Sequence, residues 1–360
     1  MPDTAVAAPV TQDLIEAIRT VVGERGLLTD PSDTDSACED WRRLYRGRTS
    51  AVVRPGNTEE VAAVVRLCAE AGVPIVTQGG NTSMVGGAVP AEDGSELVLS
   101  TARLNRVRDL DPVDMTLTIE AGVTLKAAQL AAAERDCLLP LSISSEGTAQ
   151  IGGVLAVNAG GNNTVRYGNA RDLVLGLEVV LPDGTIWNGL RRLRKDNTGY
   201  CLRQLFVGSE GTLGIITAAV LKLVPQPKEV AVAFCAVDTA AAALDLFARF
   251  QAHDAASISA FELMSGLGTS FVLRHIPNAT LPLDKPAPFY VLVELATPRP
   301  NAGLSGSLEE VLEGALSDGI VQDAAIASSD AQRAAIWRLR EEHSEAQKLE
   351  GANVKNDVSV

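Results

Sequence analysis

A ten-residue stretch, Gln78–Gly87 (QGGNTSMVGG), sets the tightest limit on what this chain can fold into. Four glycines flank a polar triplet, and paired glycines let the backbone take positive φ and present N–H groups to an anion. Asn81, Thr82 and Ser83 add side-chain donors that suit phosphate oxygens. The stretch ends a β-α-β pattern: Ala51–Val53 reads as a short strand, Pro55–Thr58 as a turn ending in an N-cap, Glu59–Ala71 as a helix closed by Gly72, and Val73–Thr77 as the next strand. Such a unit predicts a right-handed crossover, parallel pairing and a ligand where the second strand ends. A plain turn needs one or two glycines, so a diphosphate is the guest these residues predict. The loop is neither G-x-G-x-x-G nor G-x-x-x-x-G-K-[ST], which sets aside the Rossmann and P-loop readings.

A second stretch, Gly147-Thr148-Ala149-Gln150-Ile151-Gly152-Gly153 running on to Asn158-Ala159-Gly160-Gly161, is built mostly of small residues where a core would want bulk. Small side chains let something large and flat lie against the backbone; the bland alternative is a close-packed helix between glycine turns. A third stretch, Gly208–Thr217, enters a strand through three glycines.

At 360 residues the chain has room for about two domains. Apolar spacing predicts a helix over Gln12–Glu24, strands at Leu97–Ser100 and Leu117–Glu120, and a helix at Leu125–Arg135. Leu173–Leu181 reads as a long apolar strand, with a short one at Thr185–Trp187 and another at Gly214–Leu223. Pro225-Gln226-Pro227 breaks the pattern, so the expected domains are 1–226 and 227–360. Beyond the break, strands at Val230–Val237, Ser259–Leu263, Tyr290–Leu295 and Ile320–Ala327 alternate with helices at Thr239–Phe250, Ser265–Arg274 and Ser305–Leu316. That order predicts helices on one face of an antiparallel sheet.

Composition excludes several functions. A net charge of −14 and 4% aromatic residues argue against nucleic acid, which needs clustered Lys and Arg or stacking surfaces. No apolar run reaches the roughly 18 residues of a membrane span. The opening MPDTAVAAPVTQD has neither a basic start nor an apolar core, so it reads as no secretory signal, and the cytoplasm is the expected compartment. Cys38, Cys68, Cys137, Cys201 and Cys235 are scattered, forming neither a disulfide framework nor a C-x-x-C metal site, and read as buried thiols.

These motifs resemble the vanillyl-alcohol-oxidase type of FAD-binding fold, in the D-2-hydroxyglutarate and D-lactate dehydrogenase branch that includes glycolate oxidase subunits. The resemblance runs from about Arg54 to the last residue. QGGNTSMVGGAVP (78–90) looks like the pyrophosphate loop; IGGVLAVNAGG (151–161), RYG (166–168) and LGLEVVLPDGT (175–185) look like the flavin-side segment. LRKDNTGYCLRQLFVGSEGTLGIIT (193–217) is the most specific match. The resemblance implies an α+β fold: a two-subdomain PCMH-type FAD-binding domain, then an incomplete α/β cap domain with an antiparallel sheet. It implies diphosphate contacts from Gln78, Gly79, Gly80, Asn81, Thr82, Ser83 and Gly86, flavin contacts around Gly147, Thr148, Gly152, Gly153, Asn158, Gly160 and Gly161, and a backbone contact from Ile216 near the adenine. Neither loop holds a histidine, so the implied FAD is non-covalent.

Near the C-terminus, Ser329-Asp330 caps a predicted helix Ala331–Leu349 with Gly351 as its stop. Arg340 and Ser344, four apart, share a face, and spacing alone leaves open an ordinary solvated helix face. The resemblance assigns Arg340, Ser344 and Lys355 to the substrate's carboxylates. It implies oxidation of a D-2-hydroxy acid (2-hydroxyglutarate, lactate or glycolate) to the 2-oxo acid by hydride transfer to flavin N5, with a flavoprotein or quinone as electron acceptor. His253 and His275 read as surface or helix-end residues, and His343 as a pocket-facing residue without a catalytic part. The resemblance implies a divalent metal and a base in a further C-terminal portion. No metal ligands stand here, and the catalytic base is expected beyond Val360 in a truncated chain, with activity correspondingly weakened. Two alternatives stay open: a non-catalytic, partner-dependent flavin-binding subunit or remnant, and a sugar-nucleotide reductase of the same flavin fold, which nothing after Pro227 supports. A homodimer is one assembly left open.

Overall fold

The first helix, α1 (Gln12–Val22), forms because Thr11 accepts the N–H of Leu14 at its start and Leu14, Ile15, Ile18 and Val22 fall on one buried face. The protein is described here from a computed structural model, covering residues 8–352 and 354. Its residues form two compact units, one made of residues up to 161 with 168–225, the other of residues 162–167 with those from 226 on.

In the first unit, a small sheet takes β1 (Leu27–Leu28), β2 (Val52–Val53), β3 (Ile75–Gln78) and β4 (Leu97–Ser100) in the order β1-β2-β4-β3. The crossover helix α2 (Thr58–Ala71) is capped by Asn57 and closed by Gly72 at φ 67°, where a side chain would be strained. Strands β2 and β3 run parallel, as the β-α-β pattern predicts, but each pairs with β4, which inserts between them. Ile18 of α1 and Val61, Val64 and Val65 of α2 bury against Leu97 and Leu99.

A second sheet is antiparallel throughout: β5 (Val107–Asp111), β6 (Thr116–Glu120), β7 (Val174–Val180), β8 (Ile186–Gly189) and β9 (Ile215–Lys222), in the order β5-β6-β9-β7-β8. Helices α3 (Leu125–Ala133), α4 (Ile151–Ala156) and α5 (Arg203–Phe206) sit in its connections, and α4 packs on β9. Every residue of β7 is buried, which explains why its sequence is a continuous apolar run and not an alternation.

Two carboxylates stand inside this sheet. Glu120 has no exposed side-chain surface and accepts from the backbone N–H of Arg106 at 2.9 Å, from its guanidinium at 2.9 and 3.1 Å, and from Arg108 Nε at 3.2 Å. Glu178 accepts from Thr58 Oγ1 at 2.6 Å, Thr217 Oγ1 at 2.9 Å and Arg108 Nη2 at 3.0 Å. Burial pushes both carboxyls up, but the hydrogen bonds, led by Arg106 on Glu120 and Arg108 on Glu178, outweigh it and hold both below the ordinary glutamate value.

The second unit is an antiparallel sheet of β10 (Glu229–Val237), β11 (Ile258–Ser265), β12 (Phe289–Thr297) and β13 (Asp323–Ile326), ordered β11-β12-β10-β13. Helices α6 (Ala240–Asp254), α7 (Gly266–His275), α8 (Leu304–Ser317), α9 (Asp330–Glu341) and α10 (His343–Glu350) connect and follow these strands. They cover both faces, which corrects the expectation of helices on one face. Ala231, Ala233, Cys235 and Val237 face α6 and α8. The intervening Val232, Phe234 and Ala236 face α7, α9 and α10. A strand apolar at every position has two faces to bury, and that is the signal in VAVAFCAV. Residues 162–167, read with the flavin-side segment, pack in this unit instead: Arg166 Nη1 donates to Ala296 O at 2.6 Å.

Among the described residues no helix is long and apolar enough to cross a membrane. Four cysteines are buried, but Cys201 is exposed, contrary to the reading of five buried thiols.

Candidate functional site

Within the first unit the two glycine stretches meet. A methyl group on Gly80 would lie 2.0 Å from Thr148 O, and one on Gly79 would touch Gln150 at 3.5 Å and Gly153 N at 3.7 Å. Thr101, which sequence reading missed, ties them: its N–H donates to Gln78 O at 3.0 Å and its Oγ1 to Gln150 Oε1 at 2.7 Å. Gln78 itself is buried and donates to Ala37 O and Ala88 O, so it holds the loop closed. At the far end of the loop, Gly86 has φ 76° and lies against the Tyr45 ring, 2.7 Å from where a methyl group would sit.

Asn81 takes φ 51°, and its carboxamide nitrogen donates to Glu39 O at 2.8 Å. Its donor is therefore engaged, so its side chain is not the phosphate donor the sequence suggested; its backbone N–H remains for that. Asn81 Oδ1 is buried with no hydrogen-bond partner among the described residues, and an acceptor there suits a hydroxyl better than a phosphate. Ser83 Oγ accepts from Val85 N at 3.3 Å. Thr82 has no side-chain hydrogen bond among the described residues.

Helix α4 carries the second stretch. Gly152 donates to Ala121 O at 2.7 Å and its Cα lies too close to Ala121 for a side chain. Gly147 and Gly153 are the opposite case: a methyl group on either would meet nothing within 4 Å. Asn158, at φ 50°, accepts the N–H of Arg171 at 2.9 Å. Gly161 stands where a methyl group would lie 2.1 Å from Ser142 O, and neighbouring Gly160 is exposed. Ile216 lies apart on β9, opposite Val179 and beside a bulge at Thr217. Bare glycine faces, open space above Gly153 and an unpartnered buried oxygen form a cradle that fits a dinucleotide.

A substitution follows. Gly153→Ala adds a helix-favouring methyl to α4 with no clash, so the flavin-free protein should gain roughly 0.5–1 kcal/mol. If the isoalloxazine or ribityl chain occupies that space, flavin affinity should nonetheless fall about tenfold or more. Thermal melts of the apoprotein and flavin titration check the two halves, and unchanged flavin affinity would remove Gly153 from the cradle.

In the second unit the predicted helix Ala331–Leu349 is broken at Glu342, whose φ −82° and ψ 0° separate α9 from α10. The i, i+4 argument for Arg340 and Ser344 on one continuous helix therefore does not hold, since they belong to consecutive helices. Lys355 lies outside the described residues. Arg340 Nε donates to Glu262 Oε2 at 2.5 Å, and the side chains are 35% and 18% exposed. Nothing near Arg340 in sequence announces Glu262, which reaches it from β11. With Nε engaged, the two terminal nitrogens of Arg340 make no hydrogen bond among the described residues.

His343 packs beside Gly268 on α7, where a methyl group would stand 3.0 Å from its Cε1, and its Nε2 is buried with no partner among the described residues. Burial first, and the Arg340 charge second, push its pKa down to about 4. The imidazole is thus neutral in the folded protein at pH 7. The stability it contributes is complete above the unfolded value of 6.5 and lost as pH falls from there through the folded value. His343→Leu should therefore flatten stability between pH 6.5 and 4, by roughly 2–3 kcal/mol at the acid end; equal acid sensitivity of variant and parent in urea melts argues against it. His275, at the end of α7, pairs with Glu350 at 2.5 Å, and His253 ends α6, both in keeping with helix-end roles. Among the described residues, no three His, Cys, Asp or Glu stand together as a metal site.

Residues 49–189 match the family model of the FAD binding domain, and residues 226–360 that of the FAD-linked oxidase C-terminal domain. A D-2-hydroxyglutarate dehydrogenase of Xanthomonas citri pv. viticola is 38% identical over 98% of this chain and 72% of its own length. The mitochondrial D-2-hydroxyglutarate dehydrogenase of Bos taurus is 41% identical over 98% of this chain, which spans 63% of the bovine length. The solved p-cresol methylhydroxylase structure with substrate bound superposes with a TM-score of 0.67 over 93% of this chain and 71% of its own, at 18% identity, a likeness of fold. The bovine name overturns the cytoplasmic expectation: that rested on the want of a signal in the opening residues, which fixes no compartment. Two matched domains and these relatives place the chain in the FAD-linked oxidase family, in the branch of the D-2-hydroxyglutarate dehydrogenases.

Proposed function

We propose that the chain oxidises a D-2-hydroxy acid of the 2-hydroxyglutarate type to its 2-oxo acid, with FAD held non-covalently in the first unit. The observation that carries the reading is Arg340, whose Nε is fixed by Glu262 while its terminal nitrogens stay available for a carboxylate. The acid loses its C2 hydrogen with the bonding electron pair and its hydroxyl proton. Bound FAD supplies the two-electron acceptor for that chemistry.

The residues of the chain do the binding and orienting. Arg340 takes a substrate carboxylate bidentately, with Ser344 and Lys355 as further partners, which fixes the C2 hydrogen's direction. The N–H groups of Gly79–Ser83 and the hydroxyl of Thr82 take the diphosphate, Gly147, Thr148, Gly152, Gly153, Asn158, Gly160 and Gly161 line the flavin, and Ile216 meets the adenine end through its backbone. Electrons leave to an external flavoprotein or quinone.

Anaerobic addition of D-2-hydroxyglutarate to the flavin-loaded chain tests the reading. Bleaching of the visible flavin band is expected. A flavin that stays oxidised with D-2-hydroxyglutarate, D-lactate and glycolate overturns the oxidase reading and leaves a partner-dependent flavin-binding subunit.

A further inference from the structure

A cavity of about 270 Å³ opens in the first unit at the free edge of the five-stranded sheet, lined by no residue of the stretches Gln78–Gly87 or Gly147–Gly161. Its floor is Leu175 on β7 and Trp187 on β8; its roof is the exposed loop 190–202, and Arg203, first residue of α5, closes one end. Local sequence builds the floor. Gly189 is bare, so the Trp187 ring can lie across it, 2.6 Å from where a methyl group would stand. Phe206 braces the ring from α5, with centroids 5.4 Å apart. Gly176 lets the loop settle on β7, since a methyl group there would lie 2.5 Å from Arg191 N.

The charges of the cavity do not balance. Arg191 is paired with Asp196, Nη1 to Oδ2 at 3.6 Å, and both line the cavity. The Arg203 side chain has no ion pair or hydrogen bond among the described residues, and its Nε is buried from solvent. One guanidinium charge is left over beside a braced indole. A buried N–H donor without an acceptor is unfavourable, so a ligand oxygen reaching it recovers what burial lost. Thr198 offers a hydroxyl on the same wall. Tyr200 also lines the cavity and is 93% exposed.

We propose that this cavity binds a small organic monoanion with a planar apolar body, its carboxylate on Arg203 and its body on Trp187. Guanidinium-carboxylate pairing accounts for the single charge, and stacking for the aromatic floor. None of the cavity's lining residues belongs to the flavin cradle, and Arg340 is not among them. The site requires neither the proposed oxidation nor its substrate.

Calorimetric titration of sodium benzoate into the flavin-loaded chain tests it, in an Arg340→Ala background so that no carboxylate is taken there. One equivalent should bind with a Kd of about 1 mM, a modest efficiency for nine heavy atoms. Arg203→Gln should weaken it about tenfold or more with flavin content and melting temperature unchanged, and Thr198→Val about twofold. Benzyl alcohol, the same body without the charge, should bind no better than benzoate binds to Arg203→Gln. Should Arg203→Gln fail to fold, Arg203→Lys takes its place: it keeps the charge but loses the planar fork, and an intermediate loss is expected. The proposal is overturned by no saturable uptake well above that concentration, by equal uptake in the Arg203 variant, or by benzyl alcohol binding as tightly as benzoate.

Discussion

Arg108→Met should lower folding stability at pH 7 by about 3 kcal/mol, the usual scale for breaking a buried pair from one side. Among the described residues, Arg108 is the one side chain that bonds both Glu120 and Glu178, through Nε and Nη2. Glu120 keeps Arg106 after the change, but Glu178 would keep only the hydroxyls of Thr58 and Thr217. Methionine fills similar volume, so the loss is electrostatic more than a cavity effect.

Linkage separates the two. In the parent, Glu178 sits below its ordinary value, so the stability it contributes is present above the unfolded value and lost as pH falls through the folded one. In Arg108→Met, burial without its cation should lift Glu178 above that value, and the variant's deficit should shrink as pH falls and the carboxyl protonates. The double change Arg108→Met, Glu178→Gln should recover most of the loss. A deficit independent of pH, or no recovery in the double variant, would mean that packing and not charge is what Arg108 provides.

How much of this was legible in sequence depends on how far each residue's partner lies along the chain. The loop Gln78–Gly87 and the helix before it were readable because Asn57, Gly72 and the glycine pairs act within a few residues. The pairing of β2 and β3 with an intervening β4 was not, because nothing in Leu97–Ser100 says which edge it joins. Thr101 bridges Gln78 and Gln150, and Arg108 bridges two strands through residues 12 and 70 positions away; such polar contacts leave no periodicity behind. The strand VAVAFCAV did carry a legible sign of burial on both faces, in its unbroken apolar run. The break at Glu342 carried none, since Arg338–Ala346 continues an acceptable helical pattern across it. Asn81 reads in sequence as a side-chain donor, but its bond to Glu39 O, 42 residues back along the chain, leaves its Oδ1 as the atom without a partner.

Arg340→Ala should reduce kcat/KM for D-2-hydroxyglutarate by about a thousandfold or more, the range for losing a bidentate carboxylate contact, equivalent to about 4 kcal/mol. Flavin content should not change, because every residue proposed for the flavin belongs to the other unit. Arg340→Lys should rescue little: lysine offers a point charge, and Glu262 would draw that one ammonium to itself, where arginine gives Nε to Glu262 and keeps its fork. Glu262→Gln is the complementary test. It leaves the Arg340 charge in place but loosens its aim, so KM should rise several-fold with smaller change in kcat. Binding of D-2-hydroxyglutarate by calorimetry supplies a second readout independent of turnover. Arg340→Ala with full substrate affinity would move the carboxylate site elsewhere. Loss of flavin in that variant would instead make Arg340 a structural residue, and its pairing with Glu262 the whole of its role.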